Sequence, residues 1–287
     1  MEKGYADVVL TDVVDGLPQG KALDILQSAH VLKFSSQLTG TNDYAETADS
    51  DVVIITAGLA RKPGMTRDEL VLANMKVITE VTRNVIKYSP DAVIIMVTNP
   101  SDAMTQLALK VSQLSRNRVF GLSGVLDGAR FGSFIAAELK VSVTDVSTCV
   151  MGQHGNDMLV IPRLSTVNGI SLTELLPPDK IEELVERTIK GGAEIVELLK
   201  TGSAFYAPAA SALQMAEAVI FDQKRVLNCA TYLEGEYNIN DTVIGVPVKL
   251  GRNGIEQIIE LEMTEEEKAA LTRAATTVQG LIKVMKL

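Results

Sequence analysis

Cysteine is scarce in this 287-residue chain: only Cys149 and Cys229 occur, and they form no CxxC pair. A disulfide framework and a cysteine-based zinc site are thereby excluded. Two thiols set in apolar stretches read instead as buried core residues of a protein kept in a reducing compartment. Positive charge is also in deficit, with 27 Lys and Arg against 36 Asp and Glu and a net charge of −9. A nucleic acid would be repelled over most of such a surface, and an anionic ligand would need its own cluster of arginines. Long hydrophobic runs are missing. Residues 92–97, among the longest, make a strand-sized run, and the first residues lack a basic stretch leading into an apolar one. A soluble cytoplasmic protein without a membrane partner is expected. No internal repeat, no low-complexity linker and no GxGxxG motif occurs.

What is present is a 46% hydrophobic composition, enough for a sizeable core in one large α/β domain or two closely joined ones. Residues 7–11 form a short β-branched run, followed by Gly16, Pro18 and a helical pattern through Leu23 and Leu26. Residues 51–55 and 92–97 are continuous apolar runs, as expected of strands covered on both faces in a parallel sheet. Between them, Leu70, Ala73, Val77, Val81 and Val85 recur near the helical period over residues 67–88. This alternation predicts a doubly wound α/β fold. After about residue 124 the helices lengthen and the strands read as antiparallel. Helices are expected over 179–199 and 209–220, the second rich in small residues that permit close packing. Strands are expected over 231–250 with turns at Gly235 and Gly245, and a capping box at Thr264 and Glu267 opens the last helix.

Several residues suit ligand chemistry. Asp12 ends the first strand, where a carboxylate can accept hydrogen bonds from ribose hydroxyls, yet a strand-ending Asp is also a common turn residue. The glycine-rich turn of a dinucleotide fingerprint would fall roughly 20 residues earlier, before the start of this chain. Thr56-Ala57-Gly58 and Val97-Thr98-Asn99-Pro100 follow apolar strands, at the carboxyl ends where open α/β sheets bind ligands. Arg61 and Arg67 flank a Pro-Gly loop and can point into one cleft, although solvated loop arginines are common. Asp127 and Arg130 lie three apart on an expected helix, a spacing that also suits an ordinary surface ion pair. His154 sits between glycines after an apolar strand, in MGQHGND, where little bulk blocks a ligand; His30 has no such setting and reads as a surface residue.

In this order LTDVVDGLPQGKALD, ITAGLARKPGMTRDEL, VTNPSDAM, GVLDGARF, MGQHGNDM and KTGSAFYAPAAS resemble the lactate-dehydrogenase-like malate dehydrogenases over essentially the whole chain. The resemblance implies a Rossmann-like NAD-binding half, residues 1–123, with its first strand and phosphate loop missing, and an α+β substrate-binding half, residues 124–287. It implies reversible NAD-dependent oxidation of malate to oxaloacetate, without a metal, by a homodimer or homotetramer. Arg130 would fork onto the C1 carboxylate, Arg61 would take the second carboxylate, and Arg67 would close over the C2 carbonyl. His154 would exchange the proton, and Asp127 would orient its ring. Asn99 would meet both substrate and cofactor. Asp12, Thr56, Ala57, Gly58, Asn74, Val97 and Thr98 would lie along NAD. Gln153 stands where the family usually has glycine, and Asn156 where it usually has aspartate, so both can alter how His154 is held. A catalytically impaired member that keeps its assembly surfaces is one alternative; a dehydrogenase of another 2-hydroxy acid is a second, which Arg61 disfavours.

Overall fold

Strand and helix alternate through the first half as the hydropathy pattern requires. The computed structural model describes residues 3–59 and 66–286, the side chain of Arg67 excepted. In chain order the first half comprises β1 (Val8–Thr11), α1 (Leu17–Leu32), β2 (Leu38–Thr41), β3 (Val52–Ile55), α2 (Arg67–Tyr88), β4 (Val93–Met96), α3 (Ser101–Ser112), β5 (Val119–Gly121) and α4 (Gly124–Leu139). Five short strands follow: β6 (Val146–Ser147), β7 (Val150–Gly152), β8 (Met158–Val160), β9 (Thr166–Val167) and β10 (Ile170–Ser171). Then come α5 (Leu172–Leu175), α6 (Pro178–Leu199), α7 (Tyr206–Ile220), β11 (Arg225–Glu234), β12 (Asn240–Gly251), β13 (Gly254–Ile258) and α8 (Glu265–Met285).

Two compact units result, Met1–Asp51 with Val81–Ala92, and Val52–Glu80 with Val93–Leu287. One sheet carries strands from both sides of residue 123: Gly121 of β5 pairs with Ala230 of β11. In the first unit β1 and β2 pair in parallel from Val8 opposite Leu38 to Thr11 opposite Thr41. Pro18 sits in the first turn of α1, where its missing N–H costs no hydrogen bond. Ser89 donates from its hydroxyl to Thr47 O at 2.6 Å and accepts from Ser50 N at 3.1 Å, tying the end of α2 into this unit.

In the second unit an eight-stranded sheet runs β3-β4-β5-β11-β12-β7-β8, with β13 beside β12. Its β3, β4 and β5 are parallel, and the remaining pairings are antiparallel. β4 is buried throughout, as its apolar run predicts. β3 departs from the same expectation: among the described residues it pairs only with β4, and as an edge strand it leaves Ile54 41% exposed. Gly245 is likewise no turn. It lies within β12, where the absent side chain makes room for the Ser123 hydroxyl and the Gly152 carbonyl. The capping box of α8 forms as expected, Thr264 Oγ1 accepting from Glu267 N at 3.2 Å and Glu267 Oε2 from Thr264 N at 2.9 Å. Among the described residues no helix is long and apolar enough to cross a membrane.

Candidate active site

In α4, positions 127, 131 and 135 recur every four residues and share one face. Phe131 and Ile135 on that face are fully buried against Val150 of β7 and Ile181 and Leu184 of α6. Each such side chain contributes about 1.5–3 kcal/mol on burial. The same packing carries Asp127 to a depth where it is 1% exposed, and a carboxylate there needs partners. Among the described residues it has two: Arg130 Nη1 donates to Asp127 Oδ1 at 3.1 Å, and His154 Nδ1 lies 2.8 Å from Oδ2. The Asp127–Arg130 pair is thus a part-buried pair built on a buried carboxylate rather than a surface ion pair. The stem of Arg130 runs along Gly191 of α6, where a Cβ would stand 3.3 Å from Arg130 Cδ, and its guanidinium lies over Gly192.

His154 reaches this pair because the chain turns sharply after β7. Gly152 has φ +81°, and a Cβ there would stand 2.9 Å from Asp157 O, so only glycine suits the position. The His154 backbone N–H donates to Asp102 Oδ2 at 3.0 Å. Both polar handles of the histidine are therefore held by carboxylates from different helices, Asp102 from the first turn of α3 and Asp127 from α4. Burial pulls the imidazole toward its neutral form, but the charge of Asp127, the hydrogen bond to it and the charge of Asp102 together outweigh this and raise its pKa. Burial pushes the Asp102 carboxyl up to about 7, against the lowering effects of the His154 charge and N–H.

The turns after β3 and β4 form a second cluster. Asn74 of α2 is fully buried; its Oδ1 accepts from Leu59 N at 2.7 Å, and its Nδ2 donates to Asn99 O at 2.8 Å and to Leu59 O at 3.3 Å. Thr98 Oγ1 donates to Ala57 O at 2.7 Å. Asn74 and Thr98 therefore brace the two turns against each other, and a Cβ on Gly58 would stand 2.5 Å from Thr98 Cγ2. Thr56, Ala57, Gly58 and Asn99 remain exposed, and Val97 is half-buried. Such exposed backbone at the carboxyl ends of adjacent parallel strands fits a dinucleotide. The two clusters meet through α3, whose Asp102 lies three residues beyond Asn99 and reaches His154.

Asp12 ends β1 in the other unit, where its Oδ1 accepts from Val14 N at 2.8 Å and its carbonyl accepts from Asn42 Nδ2 at 2.7 Å. Arg61 lies outside the described residues, as does the side chain of Arg67, which opens α2. The start of that helix is fixed by Thr66 and Glu69, each accepting from the other's backbone N–H at 3.2 and 2.8 Å respectively. Gln153 is buried and its amide pairs with no described side chain or backbone group, while Asn156 is exposed. His30 is exposed in the last turn of α1. Cys149 and Cys229 are buried free thiols; burial pushes Cys149 up to about 11 and raises Cys229 as well. Among the described residues no group of three or more His, Cys, Asp or Glu side chains is placed to hold a metal ion.

Asp102 is the residue that sequence reasoning passed over, although VTNPSDAM contains it. The available signal was an acid in the first turn of a helix whose other residues are small, apolar or uncharged almost to its end.

A His–Asp–Arg cluster centred on a buried carboxylate, beside a nucleotide-compatible strand end, suits redox chemistry on a small carboxylate, and the whole chain matches proteins that perform it. Residues 1–121 match the lactate/malate dehydrogenase NAD-binding domain, and residues 124–286 match the lactate/malate dehydrogenase alpha/beta C-terminal domain. The chain belongs to the lactate/malate dehydrogenase family. A malate dehydrogenase of Dehalococcoides mccartyi is 55% identical over 287 residues, 100% of this chain and 94% of that protein. The malate dehydrogenase of Cryptosporidium parvum superposes with a TM-score of 0.97 at 43% identity, covering 100% of this chain and 93% of that one. The lactate dehydrogenase of the same organism, solved with lactic acid and NAD, gives 0.95 at 40% identity over 99% and 92%. Full-length likeness to malate dehydrogenases carries with it NAD-dependent malate dehydrogenase activity, with NAD as the cofactor.

Proposed function

We propose that His154, Asp127 and Arg130 carry the interconversion of malate and oxaloacetate. The carrying observation is the 2.8 Å contact between His154 Nδ1 and Asp127 Oδ2 at a carboxylate that also accepts from Arg130. An ionised carboxylate only accepts hydrogen bonds, so Nδ1 bears the proton and Nε2 is left as the working atom. NAD, when bound, accepts or returns the hydride at C2. In malate oxidation neutral Nε2 takes the hydroxyl proton as C2 loses its hydride, which leaves a carbonyl and an imidazolium. Oxaloacetate reduction reverses each transfer. Arg130 forks onto the C1 carboxylate, Arg67 polarises the C2 oxygen and Asn99 contacts that same oxygen. Asp12, Val97, Thr98 and the 56–58 turn hold NAD, and Asn74 serves by bracing that turn. Residues 1–123 thus form the cofactor half and 124–287 the substrate half.

The raised pKa of His154 fixes the direction of the pH dependence. A group whose folded pKa is raised keeps its proton to higher pH, so the imidazolium persists above the ordinary histidine range. Oxaloacetate reduction, which needs that imidazolium, is expected to fall as pH rises through the raised value. Malate oxidation, which needs the neutral base, is expected to rise over the same interval. Measuring kcat/KM in both directions across pH checks this; limbs in the opposite order contradict it.

Arg61 decides the substrate within this reading, since the second carboxylate of oxaloacetate has a partner there and the methyl group of pyruvate has none. Arg61→Gln is expected to lower selectivity for oxaloacetate over pyruvate by at least ~10-fold, because a charge-assisted contact contributes about 1.5–3 kcal/mol. NADH oxidation assays with the two 2-oxo acids give the ratio of kcat/KM, and an unchanged ratio removes Arg61 from this role. We place the enzyme in the cytoplasm, as a homodimer or homotetramer serving the tricarboxylic acid cycle. The unbridged thiols support the compartment, and the exposed Ala207, Ala210 and Leu213 of α7 support close packing of subunits.

A further inference from the structure

Proton transfer at the ring involves one carboxylate, but the histidine is held by two. Asp102 is 1% exposed, and its Oδ2 accepts the backbone N–H of His154 at 3.0 Å while its Oδ1 has no partner among the described groups. The charged groups that meet here come from three segments: Asp102 on α3, Asp127 and Arg130 on α4, and His154 after β7. With both carboxylates ionised and one guanidinium present, these described groups carry one uncompensated negative charge while the imidazole is neutral. Protonation of His154 cancels it. In a buried setting that difference is felt strongly, because little solvent screens it.

We propose that Asp102 is a second positioning residue for His154, fixing its backbone through one oxygen and adding its charge to that of Asp127 in favour of the imidazolium. This rests on the reading of His154 as the proton-exchanging group. Asp102 touches neither of the atoms proposed to react; it acts through the histidine. The two carboxylates also differ in what they control. Asp127 grips the ring and so sets its tautomer and orientation, whereas Asp102 grips the main chain and leaves the ring free to tilt. Burial pushes Asp102 up to about 7, while its charge raises His154 and the charge of His154 lowers it, so the two ionisations are coupled. Proton uptake by the imidazole draws the proton off Asp102, and proton loss returns it.

The test exploits the presence of only two histidines, His30 and His154. Their imidazole resonances can be titrated by NMR in the wild type and in Asp102→Asn, with His30→Gln to assign them. Asparagine keeps an oxygen to accept the His154 N–H but carries no charge. The expected result is a downward shift of the His154 titration by roughly half a pH unit or more, with the pH midpoint of oxaloacetate reduction moving equally and His30 unmoved. If the carboxylate only supports the backbone, a role the asparagine oxygen keeps, both midpoints stay in place, which would overturn the proposal. Should Asp102→Asn not fold, the wild-type curve decides. Coupling stretches it beyond a single-proton transition, and a clean single-proton curve overturns the idea. His154→Asn separates the two readings: if that variant keeps full activity, the assignment of His154 fails, whereas an inactive His154→Asn beside an unshifted Asp102→Asn condemns Asp102 alone.

Discussion

Replacing His154 with Asn is expected to lower kcat for oxaloacetate reduction by roughly 10²–10⁴-fold, the range over which a positioned general acid contributes. Asparagine can place its amide nitrogen near the Nδ1 position and keep the contact to Asp127 Oδ2, now 2.8 Å from the ring. What it cannot do is carry a proton at the Nε2 position. The loss should therefore fall on kcat, with KM changed little, and the pH dependence assigned to the imidazole should vanish with it. A variant with a tenth or more of the wild-type rate would mean that the proton comes from elsewhere. Stopped-flow measurement of NADH oxidation in a single turnover separates this chemical step from product release.

Arg130→Met should be almost as damaging, through a different parameter. Two charge-assisted hydrogen bonds to the substrate carboxylate, each contributing about 1.5–3 kcal/mol, translate into a loss of kcat/KM on the order of 10²–10⁴-fold. Methionine preserves the apolar contact of the stem with Gly191 but leaves Asp127 with His154 as its one remaining side-chain partner among the described residues. The imidazole then answers a carboxylate no longer shared with a guanidinium. Since the charge of Arg130 lowers the His154 pKa in the wild type, the pH midpoint should move upward in the variant. Steady-state kinetics over pH reads both effects; a change of less than ~10-fold in kcat/KM would show that the carboxylate binds elsewhere.

The parts of this site legible in the sequence are those whose relation is local. Asp127 and Arg130 are three residues apart on one helix, so their contact follows from helical geometry alone. His154 announced itself by the glycines around it, and the turns at 56–58 and 97–100 by the apolar strands before them. The depth of Asp127 was not legible. It depends on Phe131 and Ile135 packing against α6, some fifty residues further along the chain. Asp102 was hidden for the same reason: 52 residues separate it from the N–H it holds. Gly245 misled because a glycine in a β-rich stretch reads as a turn, whereas here it admits Ser123 and Gly152 close to β12. The apolar run of β3 likewise resembles that of β4, and only the strand order reveals that one is at an edge and the other buried.

A crystal structure of the protein with NADH and an unreactive four-carbon dicarboxylate would test the central assignment most directly. The account predicts one carboxylate forked on Arg130, the other on Arg61, and the C2 substituent within hydrogen-bond reach of His154 Nε2 and beside the nicotinamide ring. A dicarboxylate seated away from His154, or one that leaves Arg130 facing only Asp127, would contradict it.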